Sequence, residues 1–216
     1  MYKKNPYYPL YLNLRGRKCA VLGGGGVALR KVTTLLKYTS DVTVISPRLC
    51  AGLKDLAGNG KIKVIHRAYR AGDLDDVYLA VIATSSRAVN QKAAAEAREK
   101  KTLVNVVDNS ALSDFIVPSI VNRGNLTLAI STGGCSPSLA RKIRKKLEGE
   151  FSQHYATLTA MVAEVRRDIK KRGIKVNSRQ WQDAIDLDVL IGLIAGGQSR
   201  KARDVLFARL SGSQNK

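Results

Sequence analysis

Lys18-Cys19-Ala20-Val21-Leu22-Gly23-Gly24-Gly25-Gly26-Val27-Ala28 is the stretch on which the fold turns. It opens as a short apolar run of the kind that makes a buried parallel strand, and the four glycines read as a tight turn. Past the turn, Val27, Ala28, Val32, Leu35 and Leu36 recur at helical spacing, with Arg30, Lys31 and Lys37 elsewhere around the helix. Residues 23–28 fit G-x-G-x-x-A. Gly23 permits the sharp strand-to-helix turn, Gly25 lets the backbone approach a pyrophosphate, and the small Ala28 brings helix and sheet together. Gly26, Val27 and Ala28 open the helix, where free N–H groups and positive potential face an anion. For an isolated match the alternative is a plain flexible turn; here the preceding strand and following helix supply the required context.

Outward from this unit the pattern repeats. Val42 to Ile45 is a β-branched second strand stopped by Ser46-Pro47, followed by a short helix over Leu53 to Leu56 and a third strand over Ile62 to Ile65. Tyr78 to Ala83 is a fourth strand, Arg87 to Lys100 an alanine-rich helix, and Leu103 to Val107 a fifth strand. Strands alternating with helices make an α/β fold of Rossmann type, a parallel sheet covered on both faces. After Asp108 the rhythm changes. Phe115-Ile116-Val117 is a short run meeting Pro118, Leu126 to Ser131 another strand, and Pro137 to Glu150 a basic helix. From Phe151 only helical patterns remain: Leu158, Val162 and Val165; Ile185, Leu187, Leu190 and Leu193; then Val205 and Leu206. Gly173 and Gly196-Gly197 are the expected breaks, and the tail Ser211 to Lys216 is expected to fray. The expected organisation is a dinucleotide-binding domain over 1–112, a small α+β segment over 113–150 and a helical domain over 151–216.

The chain has 216 residues, 44% of them hydrophobic, which provides for a real core. No apolar stretch nears the roughly 20 residues of a membrane-spanning helix. Met1 to Leu14, with Lys3 and Lys4 but broken by Pro6, Pro9 and Asn13, is a poor signal-peptide core. Cys19, Cys50 and Cys135 are distant and odd in number, which suits reduced thiols in the cytoplasm. His66 and His154 have no partner at ligand or triad spacing, so no protein-held metal is expected. The net charge of +20 attracts polyanions. Nucleic acid and a small substrate rich in carboxylates or phosphates fit it equally.

Three further places carry chemistry. Ser46-Pro47-Arg48 stands where an acidic residue usually binds the adenosine ribose, so either backbone groups hold the hydroxyls or Arg48 faces a 2′-phosphate; NAD against NADP stays open. Asp108, after Asn105-Val106-Val107, puts a carboxylate just past the carboxyl end of a strand, where ligands sit in open α/β sheets. It reads as a proton acceptor during hydride removal or as a cap on the turn Asn109-Ser110. Ser131-Thr132-Gly133-Gly134 before Ser136-Pro137 reads as an anion-binding loop or a plainly capped helix start, with Ser136 as N-cap and Pro137 first in the helix. Arg141, Lys142, Arg144, Lys145 and Lys146, as a bare charge run, make a solvated face.

With these residues laid out, the chain resembles the siroheme synthase family, the precorrin-2 dehydrogenases and sirohydrochlorin ferrochelatases. The similar features are Tyr8-Pro9-Leu10 before Leu14-Arg15-Gly16-Arg17, Gly23-Gly24-Gly25 with Val27-Ala28-Leu29-Arg30-Lys31, and Val81-Ile82-Ala83-Thr84 with Asn90. They continue through Asn105-Val106-Val107-Asp108, Phe115-Ile116 with Pro118-Ser119-Ile120-Val121, and Ser131-Thr132-Gly133-Gly134 with Ser136-Pro137 and Leu139-Ala140-Arg141. Gly26 departs from the polar or acidic residue common there in the family.

The resemblance implies NAD-dependent oxidation of precorrin-2 to sirohydrochlorin, with ferrous iron as a second substrate in the members that also make siroheme. It makes Asp108 the general base. It implies that Gly23, Gly25, Gly26, Val27, Ala28, Pro47 and Arg48 contact the dinucleotide, that Thr84 and Ser85 close over it, and that Ser131, Thr132, Gly133 and Arg141 lie near the tetrapyrrole. That substrate's acetate and propionate arms suit a basic protein. The resemblance further implies a homodimer through Leu126 to Ile130 and the Pro137 helix, with no membrane and no specific nucleic acid. Residues 151–216 are too few for the methyltransferase fused to some members, so methylation is expected from another protein. A different class of function, a dinucleotide-sensing or nucleic-acid-binding module without catalysis, follows from the charge alone; no helix-turn-helix signature or aromatic-rich binding strand accompanies it.

Overall fold

A computed structural model describes residues 7–212, in two compact units, the first ending at Val117 and the second beginning at Pro118. The expectations for the first six residues and for the tail beyond 212 lie outside the described residues; Ser211 is the last residue of a helix.

The first unit is a parallel sheet of five strands: β1 (Cys19–Leu22), β2 (Val42–Ile45), β3 (Lys63–Ile65), β4 (Leu79–Ile82) and β5 (Leu103–Val106). Its order, β3-β2-β1-β4-β5, places the reversal of winding between β1 and β4, where doubly wound sheets open a crevice. The two-residue repeat divides each strand between two cores. Cys19, Val21, Val42, Val44, Leu79 and Val81 pack with Ala28, Val32 and Leu35 of α1 (Gly26–Leu35) and Leu53 of α2 (Ala51–Gly58). Ala20, Leu22, Ala80, Ile82, Val104 and Val106 pack with Ala93, Ala94 and Ala97 of α3 (Arg87–Glu99). Burial on both faces explains why these strands read as continuous apolar runs. Alanines on α3 let it lie close to the sheet, and Ser86 caps it by accepting from the Val89 N–H. Glu96 on the same helix is buried because it accepts from the Tyr69 hydroxyl and from the Gly72 and Leu74 N–H groups.

The second unit begins with an antiparallel hairpin, β6 (Ser119–Arg123) and β7 (Leu126–Ile130), turning at Gly124 with φ +62°. β6 was not expected; the run Phe115-Ile116-Val117 lies just before it and is not a strand. Instead, residues 113–115 follow β5 through side-chain bonds. Val106 N–H donates to the Ser113 hydroxyl, Val104 N–H to the Asp114 carboxylate, and the Asn105 amide to the Phe115 carbonyl.

Helix α4 (Pro137–Glu150) follows the hairpin, and α5 (His154–Lys171), α6 (Ser178–Ala184), α7 (Leu187–Ala195) and α8 (Ser199–Ser211) share a core that includes Leu158, Val165, Leu190, Leu206 and Leu210. Each such side chain contributes roughly 1.5–3 kcal/mol on burial. Glycines 173 and 197, at φ +67° and +73°, mark the breaks after α5 and α7, as expected. The pattern Ile185, Leu187, Leu190, Leu193 is not one helix. The chain breaks at Ile185, and the Asp186 side chain caps α7 by accepting from the Val189 N–H.

Candidate functional site

Strand register fixes the site's floor. Leu22 stands level with Ile45 and Ile82, and Ile82 with Val106. The residue after each strand then bonds sideways: Val107 N–H to the Ile82 carbonyl (2.9 Å), Ala83 to Leu22 (2.7 Å), Gly23 to Ile45 (3.0 Å) and Ser46 to Ile65 (3.1 Å). This backbone chain ties the carboxyl edge together from β5 to β3, so the loops carrying Gly23, Pro47, Thr84 and Asp108 leave one braced rim.

Gly23 has φ +122°, and a Cβ there would fall 2.4 Å from the Ala83 carbonyl oxygen. Only glycine fits. Gly24 is equally constrained, in a role the motif does not announce: its Cβ would fall 1.8 Å from the Arg48 carbonyl oxygen, and its own carbonyl accepts from the Cys50 N–H at 2.8 Å. Gly25 and Gly26 differ, because a Cβ on either meets nothing within 4 Å. Gly25 is the N-cap of α1, makes no side-chain cap bond, and no acidic residue stands in the first turn. The N–H groups of Gly26, Val27 and Ala28 have no intrahelical acceptor and lie at a positive helix end. Ala28 is fully buried on the sheet, while Val27 is 38% exposed. Space, free donors and absence of an acid together fit a diphosphate.

Two loops flank this junction. The Thr84 hydroxyl donates to the Asn90 amide oxygen (2.6 Å), and the Asn90 amide donates back to the Thr84 carbonyl (3.2 Å). The loop holding Ala83 against Gly23 is thereby pinned to the start of α3, with Ser85 exposed at its tip. On the other side the buried Ser46 hydroxyl donates to the Arg48 carbonyl (2.7 Å), closing the turn; Pro47 and Arg48 are exposed.

Asp108 is exposed at the same rim and sits in the left-handed region, φ +59°. It does not cap the following turn. Asn109 does, accepting from the Leu112 N–H at 3.2 Å. Among the described residues no hydrogen bond or ion pair occupies the Asp108 carboxylate. Lys31, half-buried on α1, feels it: burial and neighbouring Arg30 push the Lys31 pKa down, and Asp108 pulls it back up. Lys31 was not singled out from the sequence as a site residue.

In the second unit, the loop of residues 131–136 is closed on itself. The Thr132 hydroxyl donates to the Ser136 carbonyl (3.1 Å) and accepts the Ser136 N–H (3.0 Å), and Gly133 N–H donates to the Ser131 hydroxyl (3.0 Å). Gly133 and Gly134 both have positive φ, +62° and +86°. Ser136 caps α4 through the Leu139 N–H, with Pro137 opening the helix as expected. Arg141 is exposed one turn in, and Arg144 is paired with Glu148. Among the described residues no group of His, Cys, Asp and Glu is placed to hold a metal ion.

Comparison with known proteins agrees with this geometry. Residues 10–119 match a family described as putative NAD(P)-binding, and residues 123–150 match one described as sirohaem biosynthesis protein, central. The chain is 37% identical over 207 residues to a siroheme synthase of Psychromonas ingrahamii, covering 95% of this chain and 44% of that one. It is also 37% identical over 208 residues to a siroheme synthase of Nitrosococcus oceani, again covering 95% and 44%. The chain thus spans less than half the length of these relatives. A solved structure titled SirC, precorrin-2 dehydrogenase, superposes with a TM-score of 0.76 at 27% identity, over 93% of this chain and 98% of that one.

Proposed function

The chain belongs to the siroheme synthase family, its first half being a putative NAD(P)-binding domain, and from this premise we propose that it dehydrogenates precorrin-2 to sirohydrochlorin, using a nicotinamide dinucleotide. The observation that carries the reading is the pairing, on one braced rim, of an uncapped glycine junction with a carboxylate that makes no hydrogen bond or ion pair among the described residues.

The bound nicotinamide supplies a hydride acceptor. The protein's own groups do the rest. Gly23 and Gly24 shape the turn, and the N–H groups of residues 25–28 hold the diphosphate, with Val27 and Ala28 setting the pitch of the helix start. Thr84 and Ser85 border the cofactor on one side, Pro47 and Arg48 on the other. Oxidising the reduced ring removes a hydride and a proton. Asp108 takes the proton, and its lack of a cap or ion pair among the described residues leaves it available as a base. Ser131, Thr132, Gly133 and Arg141 take substrate carboxylates, the arginine through charge-assisted bonds.

The protein is a homodimer in this reading, joined through β7 and α4, where Leu139 and Ile143, one helical turn apart, are 50% and 37% exposed. In this reading it works in the cytoplasm, where Cys19, Cys50 and Cys135 stay reduced. No described helix is long and apolar enough to cross a membrane.

Precorrin-2 turnover with NAD tests the proposal. Asp108→Asn should lose about a hundredfold or more in kcat while still binding dinucleotide; full activity in that variant removes Asp108 from the mechanism. Anaerobic incubation of sirohydrochlorin with ferrous iron, with and without protein, tests the iron insertion that the siroheme synthase name carries.

A further inference from the structure

The amino edge of the parallel sheet, opposite the dinucleotide rim, carries a cavity of about 390 Å³. The chain leading into β1, β2, β4 and β5 walls it, with Arg17 and Lys18, Asp41, Tyr78, and Lys100 with Lys101. The four-residue strands set it roughly 13 Å from the rim. We infer that this cavity binds a small multivalent anion, a compound with two or more phosphate or carboxylate groups, at a site separate from that for the dinucleotide.

Its floor is braced by backbone. Cys19 N–H bonds the Asp41 carbonyl (2.9 Å), Tyr78 N–H the Lys18 carbonyl (2.9 Å) and Leu103 N–H the Tyr78 carbonyl (3.1 Å). The buried Thr102 hydroxyl donates to the Val77 carbonyl (2.7 Å). Two wall residues hold left-handed backbones, Asp76 at φ +59° and Lys101 at +57°. Among the described residues the one other non-glycine residue in that region is Asp108. Lys101 stands just past α3, where its N–H and that of Thr102 close the helix end on the Arg98 and Ala97 carbonyls (3.2 and 2.8 Å). Glycine fills such a position at the lowest cost. The lysine is held there against its backbone preference, and strain of this kind gathers at binding sites.

Four cations line the cavity against two acids. Asp41 is already matched by Lys63 (3.0 Å), and Lys100 by Asp75 (2.9 Å). Lys18 gives one hydrogen bond to the Asp75 carbonyl (2.9 Å), and its ammonium has two further donors. The Arg17 guanidinium lies over the Tyr78 ring, 4.9 Å from its centroid, a contact that uses none of its hydrogen-bond donors. Lys101 and Asp76 are exposed, and among the described residues no hydrogen bond or ion pair holds either side chain. Arg17, Lys18 and Lys101 against Asp76 leave two positive charges uncancelled, which is why the ligand carries at least two negative ones.

Calorimetric titration of the full chain with pyrophosphate and with citrate, at low salt and with excess NAD to fill the phosphate loop, tests this. At least one of the two should bind saturably; pyrophosphate alone marks a phosphate compound, citrate alone a carboxylate one. Lys101→Gly should weaken that binding about fivefold and raise the melting temperature, because it removes a cation and a strained backbone together. Opposite movements of affinity and stability separate lost binding from lost fold. Arg17→Gln should weaken binding by a similar factor, and Asp76→Asn should strengthen it. No saturable binding of either anion, or binding that Lys101→Gly and Arg17→Gln leave unchanged, overturns the inference. Binding lost in Arg141→Gln instead places the anion in the second unit and overturns it as well.

Discussion

The carbonyl oxygen of Arg48 occupies the space that a Cβ on Gly24 would need, 1.8 Å from its ideal position. The four glycines therefore divide by function. Gly24→Ala forces two backbones apart and should cost about 1–3 kcal/mol of stability, read by urea unfolding. Gly25→Ala meets no protein atom and has an ordinary φ of −88°, so the fold should be kept. Its methyl instead stands in the path of the diphosphate, and dinucleotide affinity should drop about tenfold or more. A Gly25→Ala protein that binds dinucleotide like the wild type would show that the backbone approach at this glycine is not used.

Asp108 holds a left-handed backbone at φ +59° that glycine adopts without strain and alanine does not. Asp108→Gly should be more stable than Asp108→Ala by about 1 kcal/mol, and both should be inactive. Equal stabilities would mean that the turn relaxes freely and that the carboxylate is not held by its backbone.

Hydrogen bonds from Arg67 hold the Asp73 carboxyl below its ordinary value of 3.8, against the opposing effect of burial. A carboxylate with a depressed folded value stabilises the fold at pH above its unfolded value, and loses that contribution as pH falls through the folded one. Below about pH 4 the wild type should lose melting temperature more steeply than Asp73→Asn, which has no such proton to gain. Parallel acid limbs for the two proteins would contradict this.

Arg123 ends β6 and caps another element with its guanidinium, donating to the carbonyls of Phe151 (2.6 Å) and Glu148 (3.0 Å) at the end of α4. The last turn of α4 has no basic residue of its own. Arg123→Met should destabilise the second unit by about 2–3 kcal/mol, the loss of charged bonds to otherwise orphaned carbonyls. Hydrogen exchange at the end of α4 should rise with it.

The sheet was legible because its strands are buried on both faces, so composition alone marked Cys19–Leu22, Val42–Ile45 and Leu79–Ile82 to within a residue. Ser119–Arg123 was not, because a half-exposed hairpin strand mixes Ser, Asn and Arg with its two apolar residues. The break at Ile185 was masked by apolar side chains on both sides of it, although Asp186 carried the cap signal. At the site, Gly23 and Ala28 followed from the motif. The constraint on Gly24 did not, since it depends on where the Arg48 carbonyl passes. Asp108 and Asn109 are adjacent and both suited to capping; only the traced backbone assigned the cap to Asn109 and freed Asp108.

Anaerobic mixing of the wild-type protein with precorrin-2 and NAD, following reduced nicotinamide and sirohydrochlorin together, bears most directly on the whole account. The two products should appear in equal amounts and at matching rates. Dinucleotide bound in full with neither product formed would contradict it.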